Sequence, residues 1–429
     1  MIEQDEVFSS PSISHLYPLA IDSAAGCIVR DVDGNEFIDF NSSLGTANVG
    51  HSHPKILEAA KQQMDRFTQY SAGVSRSEAA LSLSKALSAI APMRSDKKIL
   101  YSNSGTEAVE AGLKAAMWHT RGNRILAFLG AYHGSTLGAL SLAAAKTVQK
   151  RRFPALLTVD HIPYPYCYRC AFGQSYPNCS YRCIDYIEEL LKKKIPPEEV
   201  AAIVFEPIQE RGGCIVPPPE YFSRLKKLAE RHGFLLMDDE VQTSLGRAGR
   251  WFAIEDWDMS PDILCVGESL ASGLPLGATI AARRVMDWEP DSHASTLGGN
   301  PVACAAAFAV IDIIRSEHLL ENAVRQGNYV LKRLQELAGK YPMIGDVRGK
   351  GLLVGFEVVK DAETREPGVA EAREIMRKCF RRGVLPGLCG SSVVQIVPPL
   401  SVTRELLDAG LEVVECAISE VAAERQSVS

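Results

Sequence analysis

Two hydrophobic rhythms alternate through the middle third of the chain. After Asn103-Ser104-Gly105-Thr106, the apolar residues Val109, Leu113 and Met117 recur at helical spacing, and Gly122 marks the end of that run. Residues 125–129 are then continuously apolar over the length of a strand. The unit repeats with a strand at 201–205, a helix carrying Tyr221, Leu225 and Leu228 that closes at Gly233, a strand at 234–237 and another at 263–266. Short apolar strands separated by amphipathic helices predict an α/β fold: a large domain whose mostly parallel sheet is flanked by helices on both faces. Such sheets bind ligands beyond the C-terminal ends of their strands. Glu206, the pair Asp239-Glu240 and the pair Gly267-Glu268 all follow predicted strands, so polar chemistry gathers at that edge.

The flanking segments have a different pattern. Residues 30–40 (RDVDGNEFIDF) predict a β-hairpin around an Asp-Gly turn, and residues 345–400 mix short strands with one charged helix. A smaller α+β domain built from both chain ends, 1–60 and 311–429, accounts for them, with the large domain at 61–310. The apolar run from Val302 to Ile314 is interrupted by Asp312 and falls short of the ~18 residues of a membrane span, so it predicts a buried helix.

Charge narrows the partners. With 46 basic and 52 acidic residues, a net charge of −6 and no long basic run, a nucleic-acid partner is excluded. The start of the chain carries Glu3, Asp5 and Glu6 and lacks the basic, then apolar, signature of a secretion signal, so the expected compartment is the cytoplasm, with no membrane association. Most of the 11 cysteines stand singly among apolar neighbours. Cys167, Cys170, Cys179 and Cys183 instead form C-x2-C-x8-C-x3-C, which is compatible with a zinc site, with local disulfides or with free thiols in a structured loop. None of these readings ties the quartet to the chemistry.

Separated motifs then agree in order and spacing: DVDGNEFIDF at 31–40, GHSHP at 50–54, NSGTEAVEAGLKAA at 103–116, GAYHGSTLGALS at 130–141, FEPIQ at 205–209, DEVQTSLGRAGRWFA at 239–253, SGLPLGA at 272–278, STLGGNP at 295–301 and VRGKGLLVG at 347–355. Over essentially its whole length the sequence resembles the class III (ω-) aminotransferases, pyridoxal-phosphate-dependent enzymes of fold type I. Read alone, Ser104, Gly105 and Thr106 before a helix are an N-cap; the resemblance implies a phosphate site, for which a helix N-terminus and two hydroxyls are suited. It also implies that Thr296 reaches the same phosphate in a neighbouring subunit, and hence a homodimer with shared active sites. Asp239 resembles the aspartate that keeps the pyridine nitrogen protonated, Val241 the residue packed under the ring, Gln242 the partner of the phenolic oxygen and Tyr132 the stacked aromatic. His133 is either part of that site or a packing residue. Glu206 resembles a glutamate shaping the pocket, although a satisfied loop carboxylate is the plainer reading. The implied substrates are a small amine and an oxo acid.

Two departures qualify the resemblance. In DILCVGESLASGLPLGA the position of the Schiff-base lysine is Glu268. Glutamate cannot form that bond, and as a charged group it repels phosphate and phenolate oxygens. The cofactor, pyridoxal or pyridoxamine phosphate, is therefore expected non-covalently or as the external aldimine of a substrate. Either lysine has been replaced in a working enzyme to stop turnover, or a natural family member has lost transamination; the otherwise intact site favours the first. The second departure concerns recognition. Where the family places a carboxylate-gripping arginine before PPL, this chain has Gln395, and the acidic position after EPIQ is Arg211. Arg211 is a relocated carboxylate anchor, the substrate lacks a carboxylate, or Arg211 faces solvent. Amino-group transfer leads as the function, with racemisation or epimerisation on the same fold, or silent cofactor binding, as alternatives.

Overall fold

The computed structural model describes residues 1–428. The N-terminal part contributes strands β1 (Ile21–Ala25), β2 (Ile28–Asp31) and β3 (Glu36–Phe40). The middle contributes β4 (Lys97–Ser102), β5 (Arg124–Phe128), β6 (Thr158–Ile162), β7 (Val200–Phe205), β8 (Leu235–Asp239), β9 (Ile263–Val266) and β10 (Gly277–Ala282). The C-terminal part adds β11 (Ile344–Lys350), β12 (Leu353–Val358), β13 (Val384–Cys389) and β14 (Val393–Ile396).

These strands form two seven-stranded sheets in an α/β fold. The central sheet runs β4-β10-β9-β8-β7-β5-β6 and draws only on the middle of the chain. Its β5, β6, β7, β8 and β9 pair in parallel, while β10 is antiparallel to both β9 and β4. β7, β8 and β9 are buried along their whole length, as the apolar sequences of β7 and β9 and the apolar start of β8 require of strands covered on both faces. The second sheet, β1-β2-β3-β13-β14-β12-β11, joins the two chain ends through the parallel pairing of β3 with β13.

Helices cover the central sheet by burying one stripe each. Helix Tyr221–His232 turns Tyr221, Phe222, Leu225, Leu228 and Ala229 inward and ends at Gly233, whose φ of 82° suits a residue without a Cβ. Val302–Ile314 lies within the largely buried helix Pro301–Ser316. Between the two sheets, the fully buried Arg247 donates to the carbonyls of Leu352 and Pro398, tying the loop after β8 to the second sheet. Among the described residues no helix is long and apolar enough to cross a membrane.

Candidate functional site

The C-terminal ends of the parallel strands open onto a cavity of about 290 Å³. Ser104, Gly105 and Thr106 enter from the loop after β4, Tyr132 to Ser135 from the loop after β5, Glu206 to Arg211 from the loop after β7, Asp239 to Thr243 from β8, and Glu268 from beyond β9. Ser104 caps helix Gly105–Thr120 by accepting from the Glu107 N–H, so the N-cap reading holds for its hydroxyl. Gly105 packs so closely that a Cβ there would come within 2.5 Å of Val241 Cγ1. The helix start therefore presents bare backbone to the cavity, where its first N–H groups have no intrahelical carbonyl partners.

One set of side chains is buried, and two of its members are bonded to each other. His133 Nδ1 and Asp239 Oδ2 are 2.6 Å apart, with both side chains almost wholly excluded from solvent. The other Asp239 oxygen accepts from the Val241 N–H. Burial opposes charge on His133, but the Asp239 carboxylate outweighs it and raises the imidazole pKa. Glu206 accepts from the Tyr132 N–H at 3.0 Å, and burial pushes its carboxyl up to about 8, so it is a neutral acid at pH 7. His133 Nε2 and Glu206 Oε2 are buried without a hydrogen-bond partner. Orphaned polar atoms of this kind mark a place for a missing partner.

The second set is a chain of charges. Glu268 takes a left-handed backbone (φ 38°) that turns the chain sharply out of β9. Burial lifts its carboxyl to about 6, while Arg211 and the Gln242 amide pull it back down. Arg211 lies 5.6 Å over the Tyr132 ring and pairs with Glu210 at 3.2 Å. Glu210, acting ahead of burial, holds the guanidinium firmly charged, with Glu268 adding to the effect. Glu210 in turn accepts from Gln395 Nε2 at 2.6 Å.

This arrangement sorts the residues expected from sequence. Ser104, Gly105, Thr106, Tyr132, His133, Glu206, Arg211, Asp239, Val241, Gln242 and Glu268 share the cavity. Arg211 is half-buried and lines the cavity with its guanidinium over the Tyr132 ring. Gln395 does not line the cavity; it borders a narrower adjoining space and holds Glu210 from behind. Thr296 is exposed and outside the cavity of its own chain, its carbonyl accepting from Gln69. Glu210 was missed from sequence, and its only signal there was an acid directly preceding Arg211 in the loop after β7.

Cys167, Cys170, Cys179 and Cys183 border a separate small cavity with Tyr164, Phe172 and Tyr181, and all four thiols are free. Among the described residues no group of three or more His, Cys, Asp or Glu side chains is arranged to hold a metal ion.

Residues 9–418 match the class-III aminotransferase family, and the chain belongs to it. Enzymes of that family depend on pyridoxal phosphate. The chain is 38% identical over 416 residues to a leucine/methionine racemase of Thermococcus litoralis, covering 97% of this chain and 94% of the relative. It is 34% identical over 397 residues to a probable 4-aminobutyrate aminotransferase of Bacillus subtilis, covering 92% and 91%. Among solved structures, an aminotransferase of Bacillus anthracis is similar with a TM-score of 0.91 at 28% identity, covering 98% of both chains.

Proposed function

We propose that the cavity holds pyridoxal or pyridoxamine phosphate together with a small amine or amino acid, and that this chain does so without a covalent bond to the cofactor. The observation that carries this reading is Glu268: it lines the cavity at the position that corresponds to the family's Schiff-base lysine, and no lysine is among the lining residues described. Bound pyridoxal phosphate supplies an electron sink for the carbanion formed when a substrate loses its α-proton.

The chain's own residues fit that ligand. Asp239, held in place by His133 and the Val241 N–H, offers its carboxylate to a ring nitrogen. Gln242 offers an amide to the phenolic oxygen, Tyr132 a ring to stack on, and the start of helix Gly105–Thr120, with the Ser104 and Thr106 hydroxyls, a phosphate cradle. Thr296, exposed and away from its own cavity, is available to complete that cradle in the partner of a homodimer.

Glu268 removes the group that would attach the cofactor and return the substrate's proton as an amine. Its carboxylate, ionised above about pH 6, can accept a proton but cannot form the bond. Restoring lysine tests this. E268K, supplied with pyridoxal phosphate, is expected to gain the visible absorption of lysine-bound cofactor, which the unsubstituted chain lacks. If E268K gains no such band, or the unsubstituted chain already has it, the reading fails. The likeness to a leucine/methionine racemase favours a second reading of the scaffold's reaction, racemisation rather than transfer. Turnover of E268K without an added oxo acid would be racemisation, and a strict requirement for one would be transamination.

A further inference from the structure

We propose, building on the cofactor-binding reading above, that Glu268 and Arg211 form a charge-inverted pair that makes the cavity select the aminated, pyridoxamine form of the cofactor over the aldehyde form. Two of the three positions at which the chain leaves the pattern implied by its resemblance, Glu268 and Arg211, face the same cavity and act on one another electrostatically. One has exchanged an amine for a carboxylate, and the other an acidic residue for a guanidinium.

The inversion has a chemical consequence. The cavity is lined by the carboxyl groups of Glu206, Glu210, Asp239 and Glu268, against Arg211 and His133. His133 is engaged with Asp239, and Arg211 is ion-paired with Glu210 and acts on Glu268 only through space, so Glu268 is the carboxylate that can take a direct cationic partner from a ligand. At the family's point of attachment, the aldehyde form offers an oxygen that a carboxylate repels. The aminated form offers an ammonium, which donates to a carboxylate in a charge-assisted hydrogen bond. Both forms carry the same phosphate and ring, so their contacts with the helix start, Tyr132 and Asp239 cancel in the comparison.

The test is a titration of the full-length chain, freed of bound small molecules, with pyridoxamine phosphate and with pyridoxal phosphate, followed by calorimetry. Pyridoxamine phosphate is expected to bind tighter by roughly tenfold or more. In E268Q the two should bind within about twofold of each other. Should E268Q fold poorly, lowering the pH of the unsubstituted chain through about 6 removes the same charge and should erase the preference. Equal or tighter binding of the aldehyde form overturns the inference and leaves the cofactor-binding reading standing. A preference that survives both E268Q and low pH overturns the assignment to Glu268. Binding of neither form overturns the cofactor-binding reading as well.

Discussion

Two groups of side chains in one cavity have been treated differently. Asp239, His133 and Glu206 are buried, bonded to one another's neighbourhood and in keeping with the family pattern. Glu268, Arg211 and Glu210 are linked mainly by charge, and two of the three depart from that pattern. In the function proposed above, the first group grips a ring and the second stands where bonds to a substrate amine would be made and broken. The difference teaches that recognition of the cofactor and chemistry upon it are separable in this fold. Removing either partner of the buried His133–Asp239 bond strands the other, whereas charges linked mainly through space can change at less cost.

The strongest way to break the comparison is to damage the group held constant. D239N keeps the shape but leaves His133 without its buried counter-charge. It should lower stability by about 3 kcal/mol and weaken cofactor binding by on the order of a hundredfold, as read by thermal melts and titration. Near-normal values for both would mean that this group does not grip the cofactor.

A slightly smaller average effect, confined to high pH, is expected at Glu206. Its folded-state pKa of about 8 lies above the ordinary 4.5, so over that interval the folded chain keeps a proton that the unfolded chain releases. This contribution to stability is fully present below the unfolded value, falls as pH rises and is lost above about pH 8. E206Q should therefore match the unsubstituted chain at low pH and be more stable, by up to ~4 kcal/mol, at pH 9. Denaturant melts at the two pH values check this. A constant difference across pH would remove the buried neutral acid from the account.

How much of this was readable beforehand follows from where each signal resides. Glu206, Asp239 and Glu268 were legible because each comes at or after the end of an apolar strand, a position that topology alone marks as a ligand edge. The two-sheet α/β architecture was legible from the change of rhythm between the middle and the ends. The direction of β10 was not, since GATIAA reads as one more buried strand and its antiparallel course between β4 and β9 leaves no trace in its own sequence. Glu210 stayed hidden because its role depends on Gln395, which is 185 positions away. The cysteine spacing left zinc, disulfides and free thiols open, because thiol positions are set by the surrounding backbone and rings, such as the packing of Tyr176 on Tyr181, which spacing does not encode.

The account rests on the absence of a lysine–cofactor bond in this chain, and borohydride reduction in the presence of pyridoxal phosphate followed by peptide mass spectrometry tests it most directly. The expected result is no specific cofactor adduct on any lysine of the unsubstituted chain, and a stoichiometric adduct at position 268 in E268K. A stoichiometric adduct on any lysine of the unsubstituted chain would contradict the account.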